Sequence, residues 1–184
     1  MEQIKIEFED RLNTAKNAVT LLCENHKTVT FAESCTGGLV AKKLTDIPGA
    51  SECFECSFVT YSNAKKTKLI GVSEDTLKNF GAVSFQTAFE MCLGAKKAAE
   101  SDIGIALTGI AGPGGGTPEK PTGLVYVGIA TDKLHTVFRL KLDGNRFEVR
   151  DKASDFALAL ICKLFINPDF FDNSIKADKY EFII

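Results

Sequence analysis

The sequence predicts an α/β protein: a three-layer α/β/α sandwich built on a mixed, mostly parallel sheet. Three observations carry this. Short β-like runs such as Thr28-Val29-Thr30-Phe31 and Ile103-Gly104-Ile105-Ala106-Leu107 alternate with stretches of helical periodicity, the order that builds parallel strands with helical crossovers. Two apolar runs, 123–131 and 134–142, are separated only by a turn around Asp132-Lys133. They form an antiparallel hairpin, so the sheet must be mixed. The helical stretches are numerous enough to flank the sheet on both faces.

In chain order the pattern gives a helix over about 3–25, a strand over 28–33 and a helix over 37–46. A strand over 56–61 follows, then a short helix over 63–70 closed by Gly71, a usual C-cap residue. A helix over 74–79 precedes one over 84–100, with Ser84 as N-cap and Phe85, Ala88, Phe89, Cys92, Ala95 and Ala99 on one face. Strands over 102–108, 123–131 and 134–142 lead to a last helix over 146–166, which buries Ala153, Ala157, Leu160, Ile161 and Leu164. Pro168 ends that helix. Residues 1–166 are expected to form one domain and 167–184 a C-terminal tail. Phe170, Phe171, Tyr180, Phe182 and the terminal Ile pair make the tail apolar enough to dock, a partner subunit being one place for it.

Ser34 is the first candidate for chemistry. It stands in Phe31-Ala32-Glu33-Ser34-Cys35-Thr36-Gly37-Gly38, where a β-like run turns into a helix. A hydroxyl there lies at the carboxyl edge of the sheet, beside unpaired backbone N–H groups that favour a bound anion or a developing oxyanion. Gly37 and Gly38 let the backbone approach a ligand closely. A serine nucleophile needs a base. The chain has two histidines, and His26 and His135 both lie in polar, turn-like stretches, which belong at the surface. Lysine is the next option, since desolvation lowers its pKa enough for base catalysis.

The lysine-bearing segment runs from Phe58-Val59-Thr60-Tyr61-Ser62-Asn63 to Lys65, Lys66 and Lys68. If its strand lies parallel beside the first, Tyr61, Asn63 and the lysines face Ser34 across one sheet edge. The alternative is a solvated helical face carrying ordinary surface charges. A third segment, Thr108-Gly109-Ile110-Ala111-Gly112-Pro113-Gly114-Gly115-Gly116, joins two buried-looking strands. Successive N–H groups in such a loop form anion-binding concavities. It is neither a Walker loop nor a dinucleotide fingerprint, because no Gly-Lys-Ser/Thr follows and it opens into a strand.

Composition narrows the classes. A net charge of −2 gives no support to nucleic-acid or membrane-surface binding. No apolar run reaches transmembrane length and no signal peptide is visible, so a cytoplasmic location is expected. Of six cysteines, Cys53 and Cys56 form a C-x-x-C. With no second such pair or paired histidines nearby, a metal site is not expected. Cys35, beside Ser34, is the rival nucleophile.

The three segments together resemble the CinA C-terminal domain, the nicotinamide-nucleotide amidohydrolase (nicotinamide mononucleotide deamidase) family. The resemblance rests on Ala32 to Gly38, on Phe58 to Asn63 with Lys66, and on Thr108 to Gly116 with Pro118-Glu119-Lys120-Pro121. It extends over roughly residues 5–166. It implies hydrolysis of the carboxamide of nicotinamide mononucleotide to nicotinate mononucleotide and ammonia, without metal or cofactor. Ser34 is then the nucleophile. Lys66, five residues after Tyr61, is the general base, with Tyr61 positioning or relaying the proton. Cys35, Thr36, Gly37, Gly38, Asn63, Thr108, Gly109, Gly112, Gly114 and Arg146 are the expected substrate-binding positions. The N–H groups from Cys35 to Gly37 serve the oxyanion. The Thr108–Gly116 loop and Arg146, with Arg150 as a weaker alternative, serve the phosphate.

The chain departs from many family members at Cys56-Ser57, where they read Gly-Gly, a change that alters backbone approach. The expected partner is the small-molecule substrate, in a homo-oligomer (dimer or higher). The larger CinA proteins carry a further N-terminal domain, whose activity is not expected of these residues. A non-catalytic, competence-associated nucleotide-binding or interaction module is the alternative function.

Overall fold

The structure, a computed structural model, describes residues 2–5, 11–172 and 180–183. Its strands are β1 (Glu2–Lys5), β2 (Val29–Glu33), β3 (Phe54–Val59), β4 (Ile103–Gly109), β5 (Leu124–Ala130), β6 (His135–Lys141) and β7 (Tyr180–Ile183). Its helices are α1 (Arg11–Glu24), α2 (Leu39–Thr45), α3 (Asn63–Ile70), α4 (Glu74–Phe80), α5 (Phe85–Ala98), α6 (Arg146–Ile166) and α7 (Asp169–Asp172), with a 3-10 turn at Ala50–Glu52. The strands form one sheet in the order β1-β7-β6-β5-β4-β2-β3. The β4/β5 and β5/β6 pairings are antiparallel and the other four are parallel, giving the mixed, mostly parallel sheet that the hairpin required.

Side chains alternate across this sheet. Phe31, Ile105, Leu107, Val127 and Ile129 share a core with α1, α2 and α6. Ala32, Ala106 and Ala130 face the other way, with Met91, Cys92 and Ala95 of α5. The sheet is thus covered on both faces. Small residues keep α5 close: a Cβ added at Gly104 would stand 2.3 Å from the Cys92 carbonyl oxygen, and one at Gly128 would stand 2.7 Å from that of Ala88. The contact between α5 and α3 is tighter still, since a Cβ on Gly94 would sit 1.8 Å from the Ile70 carbonyl oxygen. Gly94→Ala is therefore expected to cost about 3 kcal/mol of stability through overpacking, read as a lower urea midpoint at unchanged slope.

The first predicted helix is corrected at its start. Glu2–Lys5 is a strand, pairing in parallel with Tyr180–Ile183, and α1 begins at Arg11. A partner at the far end of the chain leaves no trace in local periodicity. The stretch beyond residue 166, expected as a tail, supplies α7 and β7. Phe171 is buried, and Phe170 stacks on Phe138 with ring centroids 5.8 Å apart, while β7 adds to β6 in parallel. Residues 6–10, within the predicted first helix, lie outside the described residues. Among the described residues no helix is long and apolar enough to cross a membrane.

Candidate active site

Strands β2, β3 and β4 run parallel, side by side, so their carboxyl ends share one sheet edge. Ser34 directly follows β2 and donates its backbone N–H to Leu107 O of β4 at 2.9 Å. Thr60 directly follows β3 and donates its N–H to Glu33 O at 2.9 Å. The strand alternation then separates two neighbours. Glu33 falls on the α2 side and Ser34 on the α3 side. This register brings Ser34 to Lys66.

Lys66 lies on α3, whose N-cap Ser62 accepts from the Lys65 N–H. The chain has buried this lysine, at 1% exposure. Its Nζ is 3.0 Å from Ser34 Oγ and 2.7 Å from Thr60 O. Neither partner is a carboxylate, and burial holds its pKa below the ordinary lysine value of 10.5. A lysine desolvated against a serine hydroxyl can accept that hydroxyl's proton. The surface-charge alternative fails for Lys66 and holds for exposed Lys65 and Lys68.

Ser34 and Lys66 open into a cleft of about 280 Å³, also lined by Cys35, Tyr61, Thr108, Gly109, Gly112, Gly114 and Arg146. Nine of the thirteen expected site positions thus share one cavity. The Thr108 hydroxyl donates to Ala82 O at 2.6 Å, which brings the 82–83 loop to the cleft wall. Arg146 spans the rim, its Nη1 donating to Gly112 O at 2.9 Å and its Nη2 to the Tyr61 hydroxyl at 3.0 Å. Tyr61 is 62% exposed and its hydroxyl is held by Arg146, not by Ser34 or Lys66.

Thr36, Gly37, Gly38 and Asn63 do not line the cleft. Thr36 is fully buried, with no protein partner for its hydroxyl. Asn63 opens α3 on its exposed side. The Gly38 N–H is already taken: the buried Glu33 carboxylate accepts from Gly38, Val40 and Ala41 at 2.9, 3.2 and 2.9 Å. That carboxylate neutralises the amino end of α2 from within, so the end of this helix is closed to a ligand. The sequence signal was a charge at the last position of an otherwise apolar buried strand, which demands a partner.

Two further expectations change. Burial pushes the Cys35 thiol up to about 12, so it stays protonated and is no rival to Ser34. Arg150, the alternative phosphate ligand, does not line the cleft that Arg146 lines; its Nε donates to Cys35 O at 3.2 Å and its Nη2 to Thr36 O at 2.6 Å. His26 and His135 are exposed, as their turns required. Ser57, at the Gly-Gly departure, donates its hydroxyl to Phe31 O at 3.1 Å and so ties β3 to β2. Among the described residues no group of three or more His, Cys, Asp or Glu side chains could hold a metal ion. A larger cleft, about 500 Å³, lies at the opposite sheet edge against Ile103 and Thr131 and contains none of the expected site residues.

Residues 11–165 match the family model of the CinA C-terminal domain. The chain belongs to that family. Over 152 residues this CinA domain is 51% identical to a CinA-like protein of Endomicrobium trichonymphae, matching 83% of this chain and 36% of that one. A CinA-like protein of Kosmotoga olearia is 49% identical over 143 residues, 78% of this chain and 35% of its own length. The CinA domain therefore spans about a third of the length of these relatives. Among solved structures it superposes on the competence/damage inducible protein CihA of Agrobacterium tumefaciens with a TM-score of 0.80 at 40% identity, covering 88% of this chain and 99% of that one. A CinA superfamily protein of Klebsiella pneumoniae gives a TM-score of 0.82 at 29% identity, covering 85% and 98%.

Proposed function

We propose that this CinA domain hydrolyses the carboxamide of nicotinamide mononucleotide, releasing nicotinate mononucleotide and ammonia, as a cytoplasmic enzyme of pyridine-nucleotide recycling. The observation that carries the reading is the buried Lys66 amine 3.0 Å from Ser34 Oγ. A non-catalytic module has no use for a desolvated lysine held against a serine.

In the proposed sequence, neutral Lys66 takes the Ser34 proton as Oγ attacks the carboxamide carbon. The negative charge moves to the carbonyl oxygen, where backbone N–H groups of the Cys35–Gly37 turn receive it. Protonated Lys66 then gives its proton to the departing nitrogen, which leaves as ammonia, and Ser34 holds the carboxyl of nicotinate mononucleotide as an ester, its ribose phosphate still attached. Water attacks that ester and passes a proton to Lys66. The ester bond breaks, Ser34 regains its proton and nicotinate mononucleotide leaves. The carbonyl of Thr60 holds the lysine amine in place throughout. Tyr61 acts at the rim, through Arg146, rather than as a proton relay. No metal takes part in this sequence, so chelators are expected to leave turnover unchanged; activity lost with EDTA and restored by zinc would contradict it.

The phosphate falls to Arg146 and the Gly-rich loop. A charge-assisted hydrogen bond contributes about 1.5–3 kcal/mol, so Arg146→Ala should lower kcat/KM for the mononucleotide roughly ten- to a hundredfold. For nicotinamide riboside, which has no phosphate, the loss should be much smaller. Equal losses on both substrates would make Arg146 a structural tie between Tyr61 and Gly112. The experiment that tests the function itself is ammonia release from nicotinamide mononucleotide, set against nicotinamide and the riboside.

A further inference from the structure

Arg150 lies one helical turn after Arg146 on α6, yet its guanidinium does not enter the cleft. Its bonds go to two successive main-chain carbonyls, those of Cys35 and Thr36. Both peptide planes are trans, since the cis bond among the described residues is Gly112-Pro113. In a trans peptide the carbonyl and the following N–H point in opposite directions. Holding the carbonyls of Cys35 and Thr36 against Arg150 therefore turns the N–H groups of Thr36 and Gly37 away from it. The cleft is lined by Ser34 and Cys35 at the start of this turn and not by Arg150. Arg150 therefore grips this turn from outside the cleft, and the two N–H groups point to the side of the turn away from the guanidinium.

The turn would not hold this orientation unaided. Gly37 and Gly38 have φ of 62° and 93°, and glycine peptides flip at little steric cost. Glu33 fixes the N–H groups of Gly38, Val40 and Ala41, but it accepts nothing from Thr36 or Gly37. Upstream, the Ser34 N–H is fixed by Leu107. The two planes between these anchors are held by Arg150. The helix that carries it is itself fixed to α2, through Lys43 at 2.6 Å from both Asp151 and Asp155.

We infer that Arg150 is a positioning residue: by gripping the carbonyls of Cys35 and Thr36 from behind, it keeps the N–H groups of Thr36 and Gly37 aimed at the oxyanion formed at Ser34. This deepens, and rests on, the Ser34/Lys66 reading. Arg150 touches neither substrate nor reacting atoms. Its contribution appears only when charge develops on the carbonyl oxygen, so it acts on kcat and not on substrate binding.

The test uses Arg150→Ala and Arg150→Lys. Loss of oriented oxyanion donors predicts a fall in kcat on the order of 10²-fold for Arg150→Ala, with KM changed less than about threefold. The same loss is expected for the mononucleotide and the riboside, in contrast to Arg146→Ala. Guanidinium ion at low, non-denaturing concentration should restore part of the rate, whereas equal sodium chloride should not. Arg150→Lys keeps the charge and loses the two-pronged grip, so it should be impaired and not rescued; it also serves if the alanine variant fails to fold. A second readout needs no nucleotide: labelling of Ser34 by a small neutral fluorophosphonate, whose reaction also builds negative charge on oxygen, should slow in step with kcat. Near-normal kcat and labelling in Arg150→Ala, a loss confined to KM, or a loss seen only with the mononucleotide would overturn the inference. A wild-type protein that labels at Ser34 but leaves the mononucleotide intact would overturn the substrate reading alone. A wild-type Ser34 that takes no label would overturn both.

Discussion

Ser34→Ala is expected to remove deamidation almost entirely, lowering kcat by about 10⁴–10⁶-fold, the range found when a serine hydrolase loses its nucleophile. The substitution removes one exposed-side oxygen at the cleft floor and leaves the backbone bond from residue 34 to Leu107 in place, so the fold should persist with an unchanged thermal midpoint. Substrate should still bind, because the loop and Arg146 are untouched. The measurement is single-turnover ammonia release together with intact-mass analysis: wild-type protein trapped during turnover should carry the nicotinate mononucleotide acyl group, ribose phosphate included, and the alanine variant none. A variant that kept substantial turnover, or an acyl group on another residue, would remove Ser34 from the mechanism.

Lys66→Met is the second large effect, expected to lower kcat by about 10²–10⁴-fold, the usual contribution of a positioned general base. Methionine replaces the stem and removes the amine that sits between Ser34 Oγ and Thr60 O. The wild-type rate should rise with pH as Lys66 deprotonates, and should level off below the pH at which an ordinary lysine titrates, because burial lowers its pKa from 10.5. The variant should lose that rise. Stability carries the same signature with a definite sign. Between the folded and unfolded pKa values the unfolded chain holds a proton that the folded protein does not, so stability increases with pH in that window. The stability of wild-type protein relative to Lys66→Met should therefore grow as the pH climbs toward 10.5 and be lowest below the folded pKa. Parallel denaturant curves across pH read this directly; a difference that stays flat would mean that Lys66 is not buried as a neutral amine.

Much of this site was legible from residue types near strand ends. Ser34, Lys66 and the Gly-rich loop stood where three parallel strands finish, and α3 and α6 have the predicted bounds, Asn63–Ile70 and Arg146–Ile166, because Ser62 and Asn145 cap them locally. The same locality explains what was illegible. Glu33 and Arg150 act on backbone groups, and no side-chain motif announces that Arg150 will reach the carbonyls of Cys35 and Thr36 from more than a hundred positions away. Tyr61 was placed correctly at the cleft, but its partner depended on how α6 docks, which periodicity does not encode. The strand Glu2–Lys5 fails for a related reason: its pairing partner is Tyr180–Ile183, so a reading of nearby residues finds only a helical continuation of α1.

The central claim is that the Ser34/Lys66 pair breaks an amide bond in nicotinamide mononucleotide. Ammonia release from that nucleotide by the purified wild-type chain, beside Ser34→Ala and Lys66→Met, tests it most directly. The expected result is steady release by the wild type, release at background by both variants, and much weaker release from the riboside and from nicotinamide. Folded wild-type protein that releases no ammonia, or variants that release it as fast as the wild type, would contradict it.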